Sequence, residues 1–273
     1  MRKRGTVIKV TSLNEPELAV YKNRNESQLK HMNEPREGIF IAESPNVILR
    51  ALEAGMKPVS YLIEETQIKN AYEKKVITDE EVPVYVGDHK VLTQIIGYEM
   101  ARGMLCAFER KELSKPEDIC KGANKIVVMD DIENPANIGA IFRSAAALNM
   151  DGILLTKGCS DPLYRRAARV SMGAVFMIPW TYISREDYVE ILRELGYFTV
   201  ALALSPDSFS VSDPLFKRKN RIAVVLGNES DGLSSEIVNK ADAVAMIPMS
   251  NGVDSLNVAM AGTVAFWEFG GKK

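Results

Sequence analysis

Histidine is nearly absent from this chain: His31 and His89 are the only two among 273 residues. Mechanisms that need a histidine base or a histidine-rich metal cluster therefore have little to draw on, and no metal is expected. Cysteine is scarce too. Cys106, Cys120 and Cys159 form neither a paired disulfide framework nor a zinc-ligand spacing, so a reducing compartment, the cytoplasm, is expected. No apolar run approaches the roughly eighteen residues of a membrane helix. The opening segment, Met1 to Val10, has basic residues but no signal-like apolar core, so no membrane partner is expected. A dominant charge is also missing, because 34 Lys and Arg stand against 36 Asp and Glu. The balance of −2 excludes a highly basic nucleic-acid coat and leaves room for a local basic patch.

What is present is an ordinary globular composition, 46% hydrophobic, long enough for one large domain or two modest ones. The pattern changes near residue 121. Before it, Tyr61 to Glu64 and Val82 to Val86 read as short strands, with stretches of helical period at Val47 to Ala54 and Val91 to Ile96. Lys111 to Gly122 is polar, contains Pro116 and reads as a connector, so domains are expected over 1–121 and 122–273. Beyond it, Val/Ile-rich runs alternate with longer helical segments, the rhythm of an α/β domain with a mostly parallel sheet. Strands are expected over Lys125–Asp130, Gly152–Thr156, Phe198–Leu204, Ile222–Leu226 and Ala243–Ile247. Helices are expected over Ile138–Asn149, Pro162–Met172, Arg185–Leu195, Ser234–Lys240 and Ser255–Phe269. Ligands collect at the carboxyl ends of such strands, which directs attention to the segments that follow them.

Three such segments stand out. In Asp130-Asp-Ile-Glu-Asn-Pro-Ala-Asn-Ile-Gly-Ala-Ile-Phe-Arg143, a strand runs through turn-forming residues into a helix. Asn137 either caps that helix or shares a site with Arg143, roughly 1.7 turns further on. In Ala223-Val-Val-Leu-Gly-Asn-Glu-Ser-Asp-Gly-Leu-Ser234, the strand ends at Gly227, where a ligand or another backbone can approach. This is neither a Walker loop nor a dinucleotide fingerprint, and it reads equally as a plain strand-to-helix turn. In Met246 to Ala265, a loop of Pro248, Ser250, Asn251 and Gly252 leads to Asp254 or Ser255 as a helix cap, then to a helix rich in Ala and Gly. Asn257 intrudes on that apolar helix, so it is tied to a neighbouring loop or faces a ligand.

Taken together, Asn137-x-Gly139-x-x-x-Arg143, Leu226-Gly227-x-Glu229-x-x-Gly232-Leu233, and Ile247-Pro248-Met249 with Asp254-Ser255-Leu256-Asn257-Val258 resemble the three motifs of the SpoU/TrmH group of SPOUT RNA methyltransferases. The likeness spans Ile126 to Phe269. A looser one over Gly38 to Glu43, Val47 and Ala51 to Gly55 is similar to that group's small L30e-like substrate-binding domain. The family pattern commonly has Gly where this chain has Ser44 and Ser230.

The resemblance implies transfer of a methyl group from S-adenosylmethionine to a ribose 2′-hydroxyl of ribosomal or transfer RNA. It also implies a trefoil-knotted catalytic domain and a homodimer. It assigns Gly227, Ile247 and Leu256 to the cofactor, with Leu204, Met249 and Asn228 as further wall, and it makes Arg143 the catalytic position. A guanidinium is too weak an acid to serve as a base, so Arg143 is read as gripping the acceptor phosphate and stabilising charge on the 2′-oxygen. Glu229 accepts the proton or holds Arg143 and the loop, while Asn137, Ser255 and Asn257 orient ribose and cofactor loop. For RNA contact, Arg165 and Arg169 fall at i,i+4 on one helical face, and the corresponding family segment borders the active site. Lys217 to Arg221 reads as an ordinary surface turn, and Arg2, Lys3 and Arg4 as further cations within reach of RNA. Two other classes stay open: an RNA- or ribosome-binding module without catalysis, and a nicotinamide-dependent oxidoreductase, which the missing glycine fingerprint disfavours.

Overall fold

A computed structural model of the protein describes residues 7–10, 16–22, 26–34, 37–77, 81–97 and 102–270. Arg2, Lys3 and Arg4 lie outside the described residues. The chain divides into two compact units. The first comprises the described residues up to Glu112 together with Leu163–Phe176, and the second comprises Leu113–Pro162 and the chain from Met177.

The first unit is built on a mixed sheet of β1 (Val7–Lys9), β2 (Ile39–Glu43), β3 (Pro58–Glu64), β4 (Val84–Gly87) and β5 (Met104–Glu109), in the order β1-β4-β3-β5-β2. β1, β4 and β3 run parallel, and β5 pairs antiparallel with both β3 and β2. Alongside them in the chain before Glu112 lie α1 (Glu26–Lys30), α2 (Pro45–Glu53), α3 (Ile68–Glu73) and α4 (His89–Ile96). Asp88 caps α4 by accepting the Val91 amide at 2.9 Å, and Gly97 ends it in the left-handed region. One apolar core gathers Ile41, Leu62, Leu105, Leu18, Leu29 and Leu92. The strands around residues 61 and 84 and the helices α2 and α4 agree with the expected pattern. β2 and β5 carry little alternation to read, because β2 is buried at all five positions and β5 at five of its six.

In the second unit the connector itself forms α5 (Pro116–Cys120), followed by β6 (Lys125–Met129), α6 (Pro135–Ala147) and β7 (Gly152–Leu155). The chain then contributes α7 (Arg165–Val170) to the first unit. It returns as β8 (Trp180–Tyr182), α8 (Tyr188–Glu194), β9 (Phe198–Leu202), β10 (Phe209–Ser210), α9 (Pro214–Lys217), β11 (Ile222–Leu226), α10 (Ser235–Lys240), β12 (Ala243–Met246) and α11 (Val258–Phe269). The seven strands form a parallel sheet in the order β10-β12-β9-β11-β6-β7-β8. All five strands expected beyond residue 122 are there. β8 and β10, three and two residues long, are too short to leave a pattern.

This topology decides where a ligand can sit. From β6 the chain builds outward through β7 and β8, then crosses back to β9 on the other side, and β11 fills the gap between β9 and β6. The chain thus reverses its direction of travel across the sheet between β6 and β9, and ligands of such sheets collect at the carboxyl ends of the strands. On one face Tyr188 and Leu192 of α8 pack with Ile126, Val128 and Val225. Elsewhere α11 lies against α6 and β11, and a Cβ on Gly262 would stand 3.0 Å from Leu226 Cδ1, so the small residue permits the close packing.

Four helix starts lie three residues from expectation: α7 and α8 begin at Arg165 and Tyr188 rather than at Pro162 and Arg185, and α6 and α11 are displaced together with their caps. α6 begins at Pro135 with Asn134 as its cap, and α11 begins at Val258 with Asn257 as its cap, rather than Asp254 or Ser255. In α6 and α11 an asparagine Oδ1 accepts the amide two residues on, at 2.9 and 3.0 Å. The turn Lys217 to Arg221 also proves to be more than surface. Arg221 donates to the carbonyls of Cys120 (2.8 Å), Ala123 (3.0 and 3.2 Å) and Leu195 (2.6 Å), and its guanidinium stacks 4.2 Å from the Tyr197 ring.

The three cysteines are buried and form no disulfide, and burial pushes their thiols up, that of Cys159 to about 11, so they stay protonated; Cys159 Sγ donates to Met129 O at 3.2 Å and accepts the Ile132 amide at 3.3 Å. Among the described residues no helix is long and apolar enough to cross a membrane, and no cluster could hold a metal.

Replacing Arg221 should be costly because three carbonyls are deprived of a charged donor at once. Arg221→Ala is expected to lower the stability of the second unit by roughly 3 kcal/mol, read from urea denaturation, since hydrogen bonds to charged groups contribute about 1.5–3 kcal/mol each and water partly replaces them.

Candidate active site

The loops after β6, β11 and β12 meet through a chain of polar side chains with one possible direction. Glu229, beyond β11, is an acceptor only, and its Oε1 takes a hydrogen bond from Asn137 Nδ2 at 2.8 Å and from the Asn134 amide at 3.3 Å. That fixes the Asn137 amide, so its Oδ1 accepts from Asn257 Nδ2 at 3.1 Å. Asn257 Oδ1 then accepts the Ala259 amide and caps α11. Asn137 is buried, with 9% of its surface exposed, while Glu229 and Asn257 are exposed. Asn137 is therefore not the helix cap. It is the middle link between the second and third segments. The carboxylate also sits at the amino end of the thirteen-residue α6, where the helix dipole favours negative charge.

The loop Gly227–Gly232 is held by its own backbone and by the loop after β6. Asn228 O accepts the Gly232 amide at 3.0 Å, Asn228 Oδ1 accepts the Ser230 amide at 2.7 Å, and Asn228 Nδ2 donates to Asp131 O at 2.7 Å. A Cβ on Gly227 would lie 2.5 Å from Gly232 C and Leu233 N, so the turn closes only around glycine. Gly232 itself takes φ +69°.

A cleft of about 600 Å³ lies against this loop, within the range of small-molecule sites. Leu204, Gly227, Asn228, Ile247, Met249 and Leu256, the six residues expected to wall a cofactor, all line it. So do Glu229, Ser255 and Asn257. Its charged lining is acidic, Glu229, Asp231 and Asp254, and contains no Lys, Arg or His. Such a cleft suits a ligand bearing positive charge and is poorly suited to a pyrophosphate.

Arg143 stands apart from the cleft. It lies on α6 about 9 Å along the axis from Asn137 at helical rise. It is exposed and makes no side-chain hydrogen bond or ion pair with any described residue. Glu229 therefore holds Asn137 rather than Arg143. Both histidines belong to the first unit, where His31 pairs with Glu34 at 2.6 Å and His89 with Glu64 at 2.7 Å. Arg165 and Arg169 also belong to the first unit, and both face Glu43.

Behind the β6 loop lies a cluster that the motifs did not reveal. Arg185 Nε bonds Asp130 Oδ1 at 2.9 Å, and its Nη1 pairs with Asp131 Oδ2 at 3.1 Å. Thr156 Oγ1 donates to Asp131 Oδ1 at 2.7 Å and accepts the Asp131 amide at 2.9 Å. Burial pushes the Asp130 carboxyl up in spite of Arg185, and Asp131 takes φ +54°. Two acids directly after a buried strand were a visible signal for this clamp. Arg185, far along the chain, carried none.

These features define a parallel α/β domain with an acid-lined ligand cleft at the carboxyl ends of β9, β11 and β12, walled by loops rather than by a phosphate-binding glycine turn. Residues 124–267 match the SpoU rRNA Methylase family, and the chain belongs to that family. An uncharacterized tRNA/rRNA methyltransferase of Mycobacterium bovis is 31% identical over 236 residues, 85% of this chain and 81% of its own length. A 23S rRNA (guanosine(2553)-2′-O)-methyltransferase of Bacillus subtilis is 27% identical over 57% of this chain and 62% of its own. Among solved structures, an AdoMet-bound rRNA methyltransferase from Sinorhizobium meliloti is similar with a TM-score of 0.80 and 30% identity, over 97% of both chains.

The close approach at Gly227 gives a direct test of the cleft. Gly227→Ala is expected to weaken S-adenosylhomocysteine binding at least tenfold by calorimetry, a change of about 1.4 kcal/mol, because the added methyl must displace loop backbone. Affinity within a factor of about two of the wild type would contradict that role for the turn.

Proposed function

We propose that this protein methylates RNA at a ribose 2′-hydroxyl, in ribosomal or transfer RNA, with S-adenosylmethionine as methyl donor. The observation that carries the reading is the cleft: three carboxylates, no cation, and walls made largely by the motif loops. That lining fits a donor with a sulfonium and an ammonium group, and it opposes a nicotinamide dinucleotide with its pyrophosphate. The ribose specificity draws on the name of the Bacillus subtilis relative.

When bound, the donor supplies a methyl carbon made electrophilic by the adjacent sulfonium. The chain's part is alignment and electrostatics. Gly227, Asn228, Ile247 and Leu256 form the wall that holds the donor, with Leu204 and Met249 extending it. Asn137 and Asn257, oriented by Glu229, fix the relative position of the loops, and Ser255, exposed in the cleft, faces the ribose. Arg143, with no protein partner among the described residues, offers its donors to the acceptor phosphate and to negative charge growing on the 2′-oxygen. Arg165 and Arg169 meet further phosphates. The same reading makes the first unit an L30e-like RNA-binding domain and the second a trefoil-knotted one. It also makes the protein a cytoplasmic homodimer, for which the exposed Met260 and Trp267 of α11 supply apolar surface.

Methyl transfer from labelled S-adenosylmethionine to ribosomal and transfer RNA, followed by digestion to nucleosides, should yield a 2′-O-methylnucleoside. A base-methylated product would overturn the ribose assignment. Arg143→Ala is expected to lower turnover by at least about 100-fold, the scale seen when a charge-stabilising donor is removed. S-adenosylhomocysteine should still bind normally, and a parallel fall in its affinity would contradict the role given to Arg143.

A further inference from the structure

α7 is encoded between β7 and β8 of the second unit yet packs in the first, and three first-unit side chains fasten it there. The Glu26 carboxylate accepts the Arg165 amide at the first turn. Arg50 Nη1 donates to Met172 O at 2.6 Å just beyond the last turn. Glu43, the last residue of β2, stands 3.6 Å from Arg165 Nε and 3.4 Å from Arg169 Nη1.

The exposures of this triad are unequal. The Glu43 side chain is 1% exposed, whereas those of Arg165 and Arg169 keep 33% and 48%. A carboxylate withdrawn from water requires cationic partners, but half-exposed guanidiniums remain well solvated without it. Stability alone would be served as well by an apolar residue at position 43 with the arginines turned to solvent. The backbone beside it is also unusual: Ser44 holds φ +87°, where a non-glycine residue rarely sits, with its amide bonded to Met104 O at 3.1 Å. Such strain persists where the surroundings over-determine it, and here it sets the direction of the chain just after Glu43.

We infer that Glu43 is a positioning residue that holds Arg165 and Arg169 as a fixed pair, with their solvent-facing sides presented to RNA phosphates. Beside the buried carboxylate the Arg165 and Arg169 side chains keep 33% and 48% exposure, so each guanidinium reaches solvent while the carboxylate does not. The proposal rests on the RNA reading above. It adds that phosphate binding by this helix is controlled from the first unit, through a residue that does not itself meet the substrate.

The test uses the full chain, a ribosomal RNA fragment as ligand, and both RNA-binding affinity and steady-state methyl transfer as readouts. Glu43→Gln should weaken RNA binding about tenfold, the scale on which one charge-assisted hydrogen bond acts. The effect should fall on KM rather than kcat, with S-adenosylhomocysteine affinity retained. Arg165→Ala/Arg169→Ala should weaken RNA binding at least as much, and adding Glu43→Gln to it should cost nothing more. Arg165→Lys/Arg169→Lys, which keeps charge and removes the planar fork, should resemble Glu43→Gln and gives a second test if that variant folds poorly. Multiplying effects of Glu43→Gln and the arginine variants, or a defect that falls on kcat and cofactor affinity, would overturn the inference. Unchanged RNA binding in Arg165→Ala/Arg169→Ala would overturn it too while leaving methyl transfer standing. Absence of RNA methylation by the wild-type protein, by contrast, would bring down the reading on which it rests.

Discussion

Three loops that are far apart in sequence share one hydrogen-bonded chain, from Glu229 through Asn137 and Asn257 to the Ala259 amide. Its direction is set at one end by a carboxylate that only accepts and at the other by an amide that only donates, so each asparagine has a single satisfied orientation. The cleft depends on this. Gly227 and its neighbours form one wall, residues from Ile247 to Asn257 form another, and the chain fixes the spacing between them while tying both to the amino end of α6. Behind it, Arg185 clamps Asp130 and Asp131, and the Asp131 carbonyl receives Asn228, so the loop after β6 is held from both sides.

Charge is sorted in the same way. The cleft has acids and no cations, which suits a positively charged donor and would repel a phosphodiester. The basic helix α7 belongs to the first unit, and Arg143 of α6 is not part of the cleft lining. A net charge of −2 thus conceals surfaces of opposite character, an acidic cleft and a basic helix.

Much of this was legible in the sequence because its signals are local. The buried strands β6 and β11 are dominated by Val and Ile, and Ser234 caps α10 at the helix start expected there, whereas the six wall residues, at strand ends or in the loops beyond them, were named only through the resemblance of the three motifs. Other features depend on distance along the chain and left no local trace. Arg185 reaches Asp130 across 55 positions, Arg221 reaches Cys120 across 101, and Arg169 meets Glu43 across 126. The role of Asn137 was ambiguous for the same reason: cap and site residue look alike until Asn134 is seen to fill the cap and Glu229 to engage Asn137. The membership of α7 in the first unit was equally hidden, since nothing between residues 163 and 176 announces that its partners are Glu26, Glu43 and Arg50.

Whether the polar chain holds the site as one unit is tested most directly by a double-mutant cycle on methyl transfer with Asn137→Ala and Glu229→Ala. If the two side chains act through each other, the double variant should be no slower than the worse single one, a coupling of about 1–3 kcal/mol. Rate reductions that simply multiply would show that Asn137 and Glu229 act independently and would contradict a shared role.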